Sequence, residues 1–378
     1  MIKPPQSSHW CLLHTAKVID GYSSADSYLA YDAKEIISGD NLETLDKALS
    51  NGYWLGYLGY GLRTQLEQLD KDTRSYINTP DYYLARFNHI KKLHSKAINL
   101  ANAYDSFKVK KINSNMSDDA YLNKVEQILE HIKRGDIYQA NLTRKYYGEF
   151  SKDYDGFEIY KTLTNLNPAP YSAYFKLGDI EIISSSPEQF LKIADGRITT
   201  RPIKGTSPAS EPASKLANSN KDKAENLMIT DLMRNDLSKS CIGGSVKVDK
   251  LYEINSYANV HHMSSTVSGK LHNNTKPIDA ILGCFPPGSM TGAPKIKAME
   301  LCSKYEQQER GIYSGALGWI NADNNSAELS VVIRTLIKKG RKFEFQVGGG
   351  IVADSNPQAE LAECNAKAES IFKVLQQI

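Results

Sequence analysis

Three pairs of short apolar segments joined by tight turns constrain the fold of this chain more than any other feature. The pairs are 171–176 and 180–184 around Gly178-Asp179, 190–194 and 197–201 around Asp195-Gly196, and 329–337 and 342–347 around Lys339-Gly340. A glycine at such a turn is typical of hairpins between antiparallel strands. Because helical patterns lie between these hairpins, the sequence predicts an α+β fold and argues against a wound βαβ sheet.

Helical patterns occur in four segments. In the first, Ser117 or Asp118 can cap the N-terminus, apolar residues recur at helical spacing from Tyr121 to Ile132, and Gly135 ends the run. Three further helices are predicted at about 213–238, 293–307 and 357–376. Pro294 and Pro357 support the last two, because proline is tolerated in the first turn of a helix.

The polar stretch 108–119 is the clearest composition break and divides the chain into an N-terminal region, 1–112, and a larger part, 113–378. Short strands are predicted at 10–13 and 53–60. The N-terminal region carries few candidate catalytic residues. We therefore expect it to add strands to the same body and to leave the chemistry to the larger part.

Composition and charge exclude several classes of partner. The 378 residues include 46 Lys and Arg against 43 Asp and Glu, a net charge of +3. A balance so near zero gives no long-range attraction to nucleic acid or to an anionic membrane. Five scattered cysteines form no CxxC pair, the N-terminus has no apolar run typical of a secretory signal, and no segment is apolar enough to cross a bilayer. We expect a cytoplasmic protein without nucleic-acid or membrane partners.

Two predicted helices each carry a pair of acidic residues. Asp222 and Glu225 have i, i+3 spacing on one helix, and Glu360 and Glu363 have the same spacing on another. Residues so spaced project from one face, so two such faces meeting would form a carboxylate site suited to Mg²⁺. The alternative is that each pair lies on a solvated helix surface, with Lys367 paired to Glu363.

Two glycine-containing segments are suited to anions. Gly348, Gly349 and Gly350 end a predicted strand and precede the last helix, where exposed backbone N–H groups favour a carboxylate or phosphate. The segment 286–295 has similar character, with two hydroxyls and a lysine at a helix start. Taken alone, either segment is better explained as a tight turn. Next to two carboxylate faces, they indicate an anionic substrate held partly through a metal.

Three other side chains are candidates for chemistry. Lys204 and Glu188 each lie at the end of a predicted strand, and a lysine in an apolar pocket or next to other cations can become a nucleophile. A carboxyl group with a raised pKa can act as an acid. The alternative for this pair is a surface ion pair. His262 is the third candidate, and its alternative is a buried, hydrogen-bonded histidine.

Together these motifs resemble the chorismate-utilising enzymes. The matching stretches are 135–142 (GDIYQANL), 186–188 (SPE), 231–237 (DLMRNDL), His262, 287–295, 332–335 (VIRT) and 348–355 with the acidic helix after it. The resemblance covers about residues 117–378 and extends more weakly to 10–14 and 22–26. It implies an α+β fold of two large antiparallel sheets packed as a sandwich, with helices outside and the active site between them. It also implies chorismate as substrate and Mg²⁺ as cofactor.

Two positions and the absence of one motif indicate the branch of the family. Members that add water to chorismate use a lysine where this chain has Gln139. Anthranilate synthases usually carry alanine where this chain has Lys204, and no Leu-Leu-Glu-Ser motif occurs near the N-terminus. The resemblance therefore implies the branch that forms 4-amino-4-deoxychorismate for 4-aminobenzoate and folate synthesis. Anthranilate synthase component I, or a catalytically silent chorismate- or tryptophan-binding protein, remain the alternatives.

The resemblance also assigns roles. Lys204 attacks C2 of chorismate as the C4 hydroxyl leaves, Glu188 is the acid, and His262 lies near the leaving group. Mg²⁺ is held directly by Glu225 and Glu363 and through water by Asp222 and Glu360. The remaining implied substrate-binding residues are Thr291, Tyr313, Arg334, Gly348, Gly349, Gly350 and Lys367. Because no glutaminase motif is evident, we expect ammonia to come from a separate glutamine amidotransferase subunit.

Overall fold

A computed structural model describes residues 3–19, 22–23, 26–67, 69–70, 75–95, 98, 100, 107–256 and 260–375. Its strands are β1 His9–His14, β2 Asp26–Gly39, β3 Tyr53–Leu58, β4 Tyr82–His94, β5 Val109–Ser114, β6 Gln139–Phe150, β7 Tyr171–Leu177, β8 Ile180–Ser186, β9 Gln189–Ala194, β10 Arg197–Arg201, β11 Ile203–Pro208, β12 Lys247–Ser256, β13 Val260–Lys270, β14 Gly292–Ala293, β15 Ala316–Asn321, β16 Ser326–Val331, β17 Thr335–Lys339 and β18 Lys342–Ile351. Its helices are α1 Leu42–Ala48, α2 Arg63–Leu66, α3 Asp118–Lys133, α4 Gly156–Leu166, α5 Ala213–Ala217, α6 Asn220–Ser238, α7 Pro277–Cys284, α8 Lys295–Glu306 and α9 Pro357–Val374.

All of these strands belong to one antiparallel sheet. The ladder runs β6–β18–β17–β8–β7–β1–β2–β4–β3–β15–β16–β9–β10–β13, with β5 and β14 paired to β6 and with β11 and β12 paired to β13. The expectation of two separate sheets is therefore wrong. The reason is that N-terminal strands β1, β2, β4 and β3 pair in succession and join what would otherwise be two sheets.

The continuous sheet nevertheless has two stretches whose side chains share a core. One hydrophobic cluster combines Phe175 and Ile182, from β7 and β8, with Tyr57 and Leu317, from β3 and β15. These strands are far apart in the ladder, so the sheet folds back on itself and buries this apolar layer. Burial of such side chains is the main favourable term in folding.

Helices cover the two outer faces. A second cluster packs α3, α4 and α9 against β6 and β18 through residues such as Tyr121, Phe157 and Ile371. A third packs α6 and α7 against β9, β15 and β16 through residues such as Ile229 and Ile281. The predicted α+β class is confirmed. Within the described residues, no helix is long and apolar enough to span a membrane.

The predicted helices and hairpins are largely confirmed. The Ser117 side chain caps α3, and Gly135 follows that helix with a φ of +81°. The hairpins β7–β8 and β9–β10 form around the predicted turns. The helix predicted at about 213–238 is instead two, α5 and α6, because the Ser219 side chain caps a new helix. The last helix ends at Val374, and its predicted final residue, 376, lies outside the described part.

The third hairpin differs from its prediction. The segment 329–337, predicted as one strand, belongs to β16 up to Val331 and to β17 from Thr335. Arg334 lies between them with a φ of +51°, which an L-residue rarely adopts. This left-handed residue ends one strand and lets the chain cross from β9 to β8, the partners of β16 and β17.

Candidate active site

The two acidic helices meet at the end of β18. A methyl group at Gly349 would lie 3.2 Å from Glu360 Oε2, and one at Gly350 would lie 2.6 Å from Glu225 Oε1. Lys221 of α6 also approaches α9, with its Nζ 3.8 Å from Glu360 Oε1. Spacing predicted a shared face for each acidic pair, and the tertiary structure brings the two faces together.

The three glycines at this point lie in a strand and not in a turn. Gly348, Gly349 and Gly350 pair with residues of β6, so the strand extends through them and the alternative of a tight turn is wrong. The ladder with β17 runs only as far as Phe345. Among the described residues, the three glycines are therefore paired with a strand on one edge only, the edge that faces β6. The absence of side chains lets Lys204, Glu225 and Glu360 approach the backbone closely.

The end of β18 and the acidic faces of α6 and α9 enclose a cleft. Lys204 of β11 lies inside this cleft and is ion-paired. Its Nζ is 3.0 Å from Glu225 Oε1, and 11% of the lysine side chain is exposed. Gln139 Nε2 donates to the same Glu225 oxygen at 3.1 Å. Burial lowers the pKa of Lys204, but the charge and hydrogen bond of Glu225 outweigh it, so the pKa is raised. Lys204 therefore rests as an ammonium ion.

Glu188 follows β8 and is 5% exposed. Burial raises its pKa to about 7, although the Ser289 hydroxyl, Lys204 and the backbone N–H of Ile203 oppose the shift. Its carbonyl oxygen accepts from the backbone N–H of Val331 at 3.0 Å, which anchors the segment to β16. At neutral pH a large fraction of the molecules therefore has Glu188 in its protonated form, which is the form that an acid catalyst requires.

His262 of β13 is half-buried and neutral. Its Nδ1 is 2.9 Å from Thr206 Oγ1. Burial, helped by the charge of Arg334, lowers the pKa of His262 to about 4. At physiological pH the imidazole is uncharged, so it can exchange hydrogen bonds with a ligand without carrying a positive charge.

A group of cations lies on the α9 side of the cleft. Lys367 Nζ is 2.6 Å from Glu363 Oε1 and donates to the Gly348 carbonyl at 2.9 Å. Arg334 Nη1 donates to the Lys367 carbonyl at 3.0 Å. Burial lowers the pKa of Arg334, while Tyr313 and Glu363 oppose that shift. Burial raises the pKa of Tyr313, which stays a neutral hydroxyl. These groups are suited to an anionic substrate.

The carboxylates have the chemistry for a hard cation but are paired with lysines. Glu225 contacts Lys204, Glu363 contacts Lys367, and Glu360 lies near Lys221. Asp222 lies against Gly205, one residue after Lys204 in the chain. Among the described residues, no three His, Cys, Asp or Glu side chains are close enough to hold a metal. Carboxylate oxygens are ligands that suit Mg²⁺, so these residues fit that ion. In this structure the lysine ammonium groups balance the negative charge of the carboxylates.

The two hydroxyls of the segment 286–295 make different contacts. Thr291 is fully buried, and its hydroxyl donates to the Gly288 carbonyl at 3.2 Å, so the loop itself holds this group. Ser289 contacts Glu188 instead. The sequence pattern alone does not distinguish between these two hydroxyls. The resemblance distinguishes Gln139 only as the replacement of a lysine. In the structure its amide donates to Glu225, and its Oε1 is buried without a partner among the described residues.

Comparison with known proteins places these features in a family. A family model described as chorismate binding enzyme matches residues 5–373. Aminodeoxychorismate synthase component 1 of Escherichia coli (strain K12) is 40% identical over 270 residues, which cover 70% of this chain and 59% of that protein. Anthranilate synthase component 1 of Bacillus subtilis (strain 168) is 38% identical over 282 residues, 73% of this chain and 54% of that protein.

A solved structure extends the similarity over nearly the whole chain. Anthranilate synthase component I from Streptococcus pneumoniae TIGR4 superposes with a TM-score of 0.79 at 26% sequence identity, covering 95% of this chain and 93% of that one. The matched segments of the two sequence relatives span less than two thirds of their lengths. Both kinds of synthase are about equally similar to this chain.

Proposed function

The chain belongs to the chorismate-binding enzyme family, and within it we propose that it acts as aminodeoxychorismate synthase component I. It would form 4-amino-4-deoxychorismate from chorismate and ammonia. The observation that carries this proposal is the position of Lys204, which is largely buried in the cleft between Glu188 and Glu225. An amine so enclosed is suited to bond covalently to a substrate once its proton is removed.

The proposed reaction is two successive allylic displacements. Lys204 first loses a proton, for which Glu225 is the carboxylate in contact with it. The free amine then bonds to C2, both conjugated ring double bonds shift by one position towards C4, and the C4–O bond breaks as Glu188 donates a proton to the departing hydroxyl, which leaves as water. Ammonia next bonds to C4, both double bonds shift back, and the C2–N bond to Lys204 breaks. The net change is chorismate plus ammonia to aminodeoxychorismate plus water.

The other residues bind and orient the reactants. Arg334, Tyr313 and Lys367 would hold the enolpyruvyl carboxylate beside the edge of Gly348, Gly349 and Gly350, and Thr291 would support its loop. The Oε1 of Gln139, which has no hydrogen-bond partner among the described residues, is an acceptor available to ammonia, which is a donor. A divalent cation bound by Glu225 and Glu363, and through water by Asp222 and Glu360, would neutralise the ring carboxylate.

A separate glutamine amidotransferase is proposed as the source of ammonia. Both sequence relatives are named as first components of synthases. The chain should therefore use ammonium salts in the absence of a partner and glutamine only when an amidotransferase is added. Turnover of glutamine by the purified chain alone would contradict this part of the proposal.

Anthranilate synthase component I is the second candidate, because relatives of that activity are as similar as the first kind. The two reactions are separated by incubating the purified chain with chorismate, Mg²⁺ and ammonium. We expect mass spectrometry to detect 4-amino-4-deoxychorismate. Fluorescent anthranilate would instead identify the second activity, and chorismate binding without turnover would identify a silent binding protein.

The role of Lys204 is tested by its substitution and by trapping. We expect Lys204→Ala to lower kcat/KM by about a thousandfold, equivalent to about 4 kcal/mol. Intact-protein mass spectrometry of the quenched wild type should detect a substrate adduct that peptide mapping assigns to Lys204. The matched control is Lys215→Ala, a lysine on α5 whose exposed ammonium pairs with Glu211. An active Lys204→Ala enzyme with wild-type kinetics would exclude covalent catalysis by this residue.

A further inference from the structure

We propose that Asp236 and Lys295 are positioning residues, whose buried ion pair holds Ser289 against Glu188. Neither residue has a role in the mechanism above. The inference rests on the proposed function in one respect, namely that Glu188 is the catalytic acid. It concerns how the fold keeps that acid in its working geometry.

The ion pair is buried and its lysine is saturated with acceptors. Lys295 Nζ lies 2.6 Å from Asp236 Oδ2, and the two side chains are 7% and 1% exposed. The same ammonium donates to the Cys284 carbonyl at 3.0 Å and to the Pro286 carbonyl at 2.9 Å. An ammonium has three donors, so all three are used. Lys295 thereby ties α6, which carries Asp236, to the chain that leaves α7.

The segment held in this way carries Ser289. From Pro286 the chain enters a short 3₁₀ turn, Gly288–Met290. Beyond that turn, Arg310 Nη1 donates to the Met290 carbonyl at 2.8 Å, and the Asn141 backbone N–H donates to the Thr291 carbonyl at 2.8 Å. Ser289 lies between these anchors, is 6% exposed, and hydrogen-bonds to Glu188. Its position depends on the anchors on both sides.

The pair acts on Glu188 only through this loop. The groups that face the Glu188 carboxyl are Ser289 of the loop, the backbone N–H of Ile203 and Lys204 on β11, and Lys367 on α9. Asp236 instead contacts Lys239 with its other oxygen, at 3.2 Å. A buried ion pair contributes little net stability compared with apolar residues of similar size. The positioning of Ser289 therefore explains the presence of this ion pair better than a contribution to folding stability does.

The test is a double-mutant cycle read from pH profiles. One variant is Ser289→Ala. A second combines Asp236→Asn with Lys295→Met, which removes both charges and leaves no unpaired buried ion, and a third contains all three substitutions. We expect Ser289→Ala to lower kcat/KM by about ten- to a hundredfold, since a hydrogen bond to an ionisable group is lost. It should also move the alkaline limb of the profile to higher pH, because the hydroxyl stabilises the charged carboxylate.

The paired variant should change the profile in the same direction, and the triple variant should be no slower than Ser289→Ala. The matched control is Lys338→Met, a lysine that is 2% exposed and ion-paired with Glu181 and Asp153 away from the cleft. It should lower Tm without moving the pH profile. Effects that multiply in the triple variant, or a paired variant with the wild-type profile, would overturn the inference.

A second readout does not depend on turnover. The carboxyl carbon of Glu188 can be titrated by ¹³C NMR, with Glu188→Gln assigning the resonance. We expect the paired variant to raise the midpoint as Ser289→Ala does, and an unchanged midpoint would refute the positioning role. If the wild type forms no product from chorismate, the proposed function fails, while this titration still decides the inference.

Discussion

Glu188 owes its proton at neutral pH to its surroundings. Burial raises its pKa to about 7, against the pull of Ser289 and Lys204. Because the proposed chemistry needs the protonated form, kcat/KM should fall as the pH rises through about 7. Glu188→Gln cannot donate a proton, so we expect about a hundredfold loss of kcat and no alkaline limb in the same range. The check is the pH dependence of steady-state kinetics with saturating ammonia.

The titration of His262 does not interfere with the pH dependence predicted for Glu188. The pKa of His262 is lowered to about 4, so its titration lies on the acid side and does not overlap with that of Glu188. An alkaline limb that survives in Glu188→Gln would mean that another group is the acid, and the assignment of Glu188 would then be wrong.

Because His14 is buried in its neutral form, we predict that the fold loses stability in acid. His14 is 6% exposed, its Nδ1 lies 3.1 Å from the Tyr160 hydroxyl, and burial lowers its pKa from 6.5 to about 4. The unfolded chain therefore binds a proton more readily, and stability falls as the pH drops from about 6.5 towards 4. His14→Gln should remove up to about 3 kcal/mol of this pH-dependent loss.

Urea unfolding at several pH values measures this effect. The control is His272→Gln, since His272 is exposed. It should keep the wild-type pH dependence. Equal acid-induced losses in His14→Gln and the wild type would show that other groups account for the effect.

At the scale of elements, substitutions at neighbouring glycines of β18 should affect activity and stability separately. A methyl group at Gly350 would lie 2.3 Å from Gln139 Nε2 and 2.6 Å from Glu225 Oε1, both of which are ends of side chains. Gly350→Ala should therefore displace these groups, lower kcat/KM by about a hundredfold, and leave Tm nearly unchanged. Kinetics and thermal unfolding on the same preparation test this expectation.

Gly348 provides the contrast within the same strand. A methyl group there would lie 2.3 Å from the Leu142 carbonyl oxygen, which is backbone of β6. Gly348→Ala should therefore strain the β6–β18 ladder and destabilise the fold by about 1 to 3 kcal/mol. Wild-type kinetics in Gly350→Ala would mean that the close approach of Gln139 and Glu225 to this strand is not needed for activity.

At the scale of the whole molecule, the N-terminal strands connect the sheet. β1 pairs with β7, and β3 pairs with β15, so strands from residues 9–58 complete two edges of the larger part. We predict that residues 113–378 expressed alone will not fold, because those edges and the apolar layer beneath Tyr57 would be exposed. Circular dichroism and gel filtration test this, with co-expression of residues 1–112 as the control. A monomeric fragment that unfolds cooperatively would contradict it.

The sequence determined the features that depend on neighbouring residues. Turn glycines at Gly178 and Gly196 set two hairpins, and Ser117 set the start of α3, because turn and cap geometry depends on a few adjacent side chains. The i, i+3 spacing of Glu360 and Glu363 likewise defined one face of α9. The family motifs extended this local information to a set of candidate site residues, among which Lys204 lies against Glu225 and close to Glu188.

Only the tertiary structure decided which elements face each other. The joining of the sheet through β1, β2, β4 and β3, the ion pair of Lys204 with Glu225, and the contact of Ser289 with Glu188 all link residues distant in the chain. The spacing of residues in a sequence fixes which side chains share a face of one element. It does not fix the partner of that face, because the partner depends on the packing of the entire core.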